Sequence, residues 1–274
     1  MPELPEAETI ARDLARRVTG ATITGARVLK PDILTPPLTP RRLASAVRSR
    51  SIERVGRRGK NIVLELSGDV RIMVNLGMTG RVVSSKARAA ADLRHIAARF
   101  PLQDGSELLY DDARRFGRID VLKADDWQRR TGQLGVEPLS EEFTGERLYE
   151  LTRTSITPMR NWLLDQRRIA GVGNIYANEA LFRGGVRPTR RARDLKRREA
   201  APLRDALRDV LSEAIEARGT TFSAYRDGEG GEGAFLPRLR VYGREGEACL
   251  KCGSPIRRVV LSNRSAFYCP RCQK

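Results

Sequence analysis

Apolar residues recur at helical spacing almost from the start of the chain. Ala7, Ile10, Ala11, Leu14 and Val18 share one face of a segment from Pro5 to Val18. Pro5 suits a first helical turn, and Glu6 and Glu8 suit the positive end of the helix dipole. The pattern predicts a helix whose preceding residues are held rather than loose. From about Ala21 to Leu122 the period falls to two. "NIVLEL", "SGD" and "VRIMVNL" read as a hairpin, "ELLYDD" and "RIDVLK" as further strands, and the Gly and Pro punctuation predicts an antiparallel sheet domain. A polar, turn-rich stretch from Thr131 to Thr144 reads as an interdomain hinge.

The second half is helical in pattern. "PMRNWLLDQRRIAGVGNIYANEALFRGG" predicts two helices joined by a glycine-bearing turn. A longer helix is expected from near Asp194 to Arg218, with Leu203, Leu207, Val210, Leu211, Ala214 and Ile215 on one face and Gly219 able to end it. Pro202 should either start the regular part of this helix or kink it. "RDGEGGEGAF" follows, too glycine-rich to hold one conformation without a ligand. No internal repeat is present.

At 274 residues and 40% hydrophobic, the chain suits two domains of α+β class with ordinary cores. No apolar run is long enough to span a bilayer, and the start lacks a basic-then-apolar signal pattern. A soluble, cytoplasmic protein is expected. The formal net charge of +17 points to a polyanionic partner, nucleic acid first and an anionic membrane surface second. Only seven of the 51 basic residues are lysines, so side-chain amines able to act as nucleophiles are few, while guanidinium forks suit phosphate. His95, in "DLRHIAARF", is the single histidine. Any histidine triad would need it, and a strand-packing place suits it better than catalysis.

All four cysteines fall in the last 26 residues, as Cys249-x2-Cys252 and Cys269-x2-Cys272 with sixteen residues between. Two knuckles of this spacing place four thiolates around one tetrahedral Zn2+. Two disulfides are the alternative, and they need an oxidising compartment that nothing in the chain indicates. A closed four-sulfur shell leaves no open position, so the metal would hold a fold rather than do chemistry. Tyr242, Arg257 to Val260 and Phe267 suggest strands of a small β-ribbon, with Arg264 in the turn between them.

"PELPEAET", "RRGKNIVLEL", "LGMTG", "DDARRFG", "GVGNIYANEALF", "TTF", "VYGR" and the terminal cysteine knuckles occur in order from Pro2 to Cys272. In these motifs the chain resembles the formamidopyrimidine-DNA glycosylases, the Fpg or MutM proteins. The resemblance implies a two-layered antiparallel β-sandwich flanked by helices, then a helical domain with a helix–two-turn–helix element and a zinc β-ribbon, with DNA across the cleft between them. The domains expected on this basis are 1–131 (sandwich), 132–150 (linker), 151–240 (helical domain with a lid loop) and 241–274 (zinc ribbon). The implied partner is damaged double-stranded DNA, bound by a monomer associated with the nucleoid, and the implied activity is removal of oxidised purines followed by cleavage at the abasic site.

Residue by residue, the resemblance makes Pro2 the nucleophile once Met1 is removed. An α-amine titrates at about 7.7–8.0 in model peptides, so it is far more often neutral than a lysine. Glu3 becomes the acid/base, with Glu6 supporting the geometry. Lys60 and Arg264 grip phosphate beside the damaged nucleotide and count as catalytic, and Asn174 holds phosphate from the "GVGN" turn. Met78, Arg114 and Phe116 fill the void left by an extruded base. His95 is carried as a DNA-contact candidate. "RDGEGGEG" corresponds to a lid over the extruded base, and its acidity is unexpected near DNA. Two rival readings are a Nei-type glycosylase for oxidised pyrimidines, whose members usually begin "PEGPE" where this chain has Leu4, and a zinc-ribbon protein that binds lesions without cutting.

Overall fold

Helix α1 (Leu4–Val18) begins one residue before the predicted start, with Glu3 as its N-cap. Glu6, at the third helical position, accepts the Glu3 backbone N–H at 2.7 Å, one limb of a capping box that closes the first turn. The computed structural model describes residues 2–222 and 225–274. The chain divides into two units, Met1–Gly132 with Ile215–Ala234 and Gln133–Ala214 with Phe235–Lys274.

In the first unit α1 is followed by β1 (Thr22–Ile23), β2 (Arg27–Val28), helix α2 (Pro40–Val47), β3 (Arg50–Arg58), β4 (Asn61–Leu66), β5 (Val70–Asn75), β6 (Arg81–Ser84), β7 (Ile96–Pro101), β8 (Glu107–Asp111), β9 (Arg118–Leu122) and helix α3 (Ala124–Gly132). The strands form two antiparallel sheets, ordered β1-β3-β4-β5-β9 and β2-β7-β8-β6. Register explains how they share a core. Ile62 pairs with Val74, Leu64 with Ile72 and Leu66 with Val70, which aligns six apolar side chains on one face of the first sheet. Ala98 pairs with Tyr110 and Phe100 with Leu108 in the second. All ten lie in a single buried cluster that Ile10, Leu14 and Val18 of α1 complete. This is the two-layered sandwich with a flanking helix.

The second unit contains α4 (Gly145–Thr152), capped by the Thr144 hydroxyl, then α5 (Met159–Leu164), α6 (Asn174–Arg183), most of α7 (Arg197–Glu216) and the hairpin β10 (Arg257–Leu261) and β11 (Arg264–Tyr268). Phe143, Leu148, Trp162, Tyr176, Leu203, Leu207 and Val210 are buried here. The α5–α6 turn is built around Gln166, whose amide donates to Leu164 O and Val172 O at 2.9 Å each and accepts from Gly171 N at 2.8 Å. Pro202 lies inside α7, five residues after its start, and neither begins nor ends it. Tyr242 sits in a turn rather than a strand and packs edge-on against Phe267, ring centroids 5.2 Å apart. Among the described residues no helix is long and apolar enough to cross a membrane.

Leu64, fully buried at the centre of β4, tests the shared core. Leu64→Ala should destabilise the protein by about 2–5 kcal/mol, seen as an earlier unfolding transition in urea. Val260→Ala, at an exposed position of β10, should leave that transition in place.

Candidate active site

The first candidates stand at the head of α1. Pro2 directly precedes the N-cap, and both it and Glu3 are buried. Met1, whose removal the amine chemistry requires, lies outside the described residues. Glu6 holds this corner from below: Oε2 accepts from Glu3 N at 2.7 Å and Oε1 from Thr220 N at 2.9 Å. Lys60 is half-buried in the tight β3–β4 turn. Arg57, beside that turn, donates to Gly59 O at 2.9 Å and to Glu8 of α1 at 3.0 Å, so the lysine's turn is tied to the same helix that presents Pro2 and Glu3.

Met78 and Phe116 are 38% and 54% exposed, on the loops after β5 and β8. The Arg114 guanidinium lies over the Phe116 ring, 4.6 Å from its centroid. Exposed apolar side chains at loop tips do not help the core, so their placement suits insertion into a partner. The two loops press together so closely that a Cβ at Gly77 would come within 2.5 Å of Gly117 N. Buried Asp112 binds them. Its Oδ1 accepts from the Thr79 hydroxyl at 2.5 Å and from Arg114 N at 3.2 Å, and its Oδ2 from Gly117 N at 2.9 Å and the Tyr110 hydroxyl at 3.1 Å. Burial, followed by the Asp112 charge, pushes the Tyr110 phenol well up, so it remains a donor. His95 is exposed just before β7, with its backbone N–H on Asp111 at 2.5 Å. The strand-packing expectation is therefore corrected, because the side chain falls one residue outside the pleat.

The glycine-rich stretch also departs from expectation. Rather than lacking one conformation, residues 225–233 fold against α1 through side-chain and backbone hydrogen bonds centred on buried Asp13 and Asp227. Burial, then the Glu6 charge, raises the Tyr225 phenol, which donates to Arg218 O at 3.1 Å.

In the second unit, Asn174 opens α6 and its amide donates to Ser265 O at 3.0 Å, which sets it beside exposed Arg264 at the start of β11. The intervening turn, Ser262–Asn263, has φ of 44° and 60° at its two residues. Fully buried Arg160 anchors it, donating through Nη2 to Leu261 O at 2.9 Å and Arg264 O at 2.6 Å. Burial, with help from the Arg264 charge, lowers Arg160 to about 10, still a cation at neutral pH. Asn178 accepts Phe267 N at 2.6 Å and binds back to Asn174 O at 2.6 Å, joining α6 to the hairpin.

The four cysteines are free, with their sulfurs all within 4.8 Å of one another. The Cys249–Cys272 and Cys252–Cys269 separations are 4.0 and 3.4 Å. A disulfide needs about 2.05 Å. Sulfurs at about 2.3 Å from a tetrahedral Zn2+ would be about 3.8 Å apart. The donor set therefore fits one structural zinc, and Lys251 N and Cys272 N, each 3.4 Å from a cysteine sulfur, would stabilise the thiolates.

Comparison with known proteins agrees with this geometry. Residues 1–119 match the formamidopyrimidine-DNA glycosylase N-terminal domain, 134–226 the formamidopyrimidine-DNA glycosylase H2TH domain, and 246–274 a zinc finger found in FPG and IleRS. The chain belongs to the formamidopyrimidine-DNA glycosylase family. The formamidopyrimidine-DNA glycosylase of Desulforamulus reducens is 40% identical over 100% of this chain and 99% of its own length. The MutM (FPG) structure from Thermus thermophilus superposes with a TM-score of 0.87 at 39% identity, covering 99% of this chain and 98% of that one. Wild-type Lactococcus lactis Fpg, in complex with DNA containing N7-benzyl-Fapy-dG, superposes with a TM-score of 0.89 at 29% identity over all of both chains.

Within this glycosylase, pattern reading overlooked Asp112, Arg160 and Asn178. Each is a buried polar residue with backbone partners. Asp112 lies in the "DDARRFG" motif and Asn178 in "GVGNIYANEALF", while no motif marked Arg160. Native mass spectrometry should find one zinc per chain, and Cys269→Ser should lose it and lower the melting temperature. Asp112→Asn should cost about 1–3 kcal/mol, because Gly117 N or the paired loop donors then face an amide N–H. An unchanged unfolding midpoint would remove Asp112 from this role.

Proposed function

We propose that this protein is a bifunctional DNA-formamidopyrimidine glycosylase and AP lyase that removes oxidised purines from duplex DNA. The carrying observation is the head of α1, where Pro2 and Glu3 are presented by a buried Glu6 bridge. The full-length family match and a relative complexed with a Fapy-dG derivative in DNA support the substrate class.

With Met1 removed, Pro2 offers a secondary amine. Its lone pair attacks deoxyribose C1′ as the C1′–N bond to the base breaks, and the base departs with a proton. Glu3 protonates the sugar ring oxygen, opening the ring and leaving an iminium between Pro2 and the sugar. That cation acidifies the adjacent C2′ proton, whose loss expels the 3′ phosphate by β-elimination. The conjugated iminium then loses its C4′ proton and expels the 5′ phosphate by δ-elimination. Water then releases the sugar remnant and restores the amine, leaving a one-nucleoside gap flanked by phosphates.

Other residues hold the DNA. Lys60, Asn174 and Arg264 are assigned to phosphate, Asn174 with the positive end of α6 behind it. Met78, Arg114 and Phe116 occupy the space vacated by the flipped nucleotide, Phe116 as a wedge and Arg114 as a donor to the orphaned base. His95, exposed just before β7 and joined to the end of β8 by the Asp112 N to His95 O bond at 3.1 Å, is assigned a DNA contact.

Glu3→Gln should slow base release from duplex DNA bearing 8-oxoguanine opposite cytosine by about 10²–10⁴-fold in single-turnover assays, with affinity changed little. Arg264→Ala should weaken binding and shallow its salt dependence by about one counterion. Base release by Glu3→Gln at the wild-type rate would overturn the assignment.

A further inference from the structure

The acids of the glycine-rich segment are unexpected in a strongly basic DNA-binding chain, and each of them has an arginine. Glu229 takes two bonds from Arg17 of α1, at 2.7 and 2.5 Å. Glu232 pairs with Arg226 at 2.8 Å. Asp227, 3% exposed, accepts Arg218 Nε at 2.6 Å on one oxygen, and Glu229 N at 3.0 Å and Gly231 N at 2.7 Å on the other.

The centre of the array lies in α1. Asp13 is 1% exposed and accepts from Arg218 Nη2 at 2.6 Å, Arg16 Nη2 at 2.5 Å and Gly228 N at 3.1 Å. Arg218 thus bridges two buried carboxylates, one on the helix and one in the segment. The backbone comes so near that a Cβ at Gly228 would lie 2.7 Å from Asp13 Cβ. Glycine serves close approach here as much as mobility. Charge-assisted bonds at these distances to two buried carboxylates resist opening.

We propose that Asp13 is a positioning residue for base excision: through Arg218 and the Gly228 amide it docks segment 227–231 on α1 in the free enzyme. This rests on reading that segment as the cover of the extruded base. Docking in advance removes the ordering cost that a loose glycine-rich loop would meet when DNA binds. An abasic site presents no base to cover, so its cleavage should not need the dock.

The test uses the full-length protein. Asp13→Asn should raise amide exchange across 227–231 about tenfold, and slow 8-oxoguanine excision about tenfold while abasic-site cleavage stays within about twofold. Arg17→Glu, at a partly exposed pair, should act in the same direction by about threefold, and Arg17→Glu with Glu229→Arg should restore both readouts. The swap decides the matter if Asp13→Asn fails to fold. Unchanged exchange, or equal losses on both DNA substrates, would overturn the proposal. A wild-type protein that cuts neither substrate would sink the glycosylase reading instead, and the exchange measurement would still decide the dock.

Discussion

The Glu6 carboxylate is the constraint on which the catalytic corner depends. It is 2% exposed, and a buried carboxylate is tolerated only where hydrogen bonds replace its lost water. Its two oxygens take the backbone N–H groups of Glu3 and of Thr220, the latter 214 residues further along the chain than Glu6. One side chain thereby fixes the first described residues of the chain to the root of segment 215–234. A terminus ordinarily frays, and the proposed chemistry, in which the terminal amine meets a sugar carbon, needs one that does not. The prolines and acids of "PELPE" are the local means of holding it.

The same arrangement recurs beneath several of the groups assigned to DNA. Asp112 lies under the loops of Met78 and Arg114–Phe116, Arg160 under the turn before Arg264, and Asn178 under Asn174. In the second unit, buried Glu179 accepts Arg240, Val241 and Tyr242 backbone N–H groups at 2.9–3.0 Å, fixing the approach to the cysteine knuckles. Burial raises this carboxyl while the three amides oppose the shift. Beneath the loop-tip groups and Arg264 these buried polar residues give exposed side chains a dry polar foundation, which is what preorganised contact with a charged polymer requires.

Legibility in the sequence followed periodicity. Helix α1, strands β4, β5, β8 and β9, and the α5–α6 pair carry clear apolar repeats and stand where those repeats place them. Strand β3 is hidden because "RSIERVGRR" buries only Ile52 and Val55, its other positions being arginine, serine, glutamate and glycine. The zinc knuckles were legible because four like ligands at fixed spacing have few other uses. The polar foundations were not, since an aspartate or asparagine reads alike whether solvated or buried, and its partners are mostly backbone groups distant in sequence. The glycine-rich segment misled for a related reason: composition records freedom of the chain, whereas Asp13 and Arg218, which remove that freedom, lie elsewhere.

The central claim is that the amine at the head of α1 does the chemistry. It is tested most directly by adding borohydride during reaction with duplex DNA bearing 8-oxoguanine opposite cytosine, then mapping the crosslinked peptide by mass spectrometry. The account predicts a reduced adduct on Pro2. An adduct on Lys60, or none on a protein whose Pro2 is confirmed to be free, would contradict it.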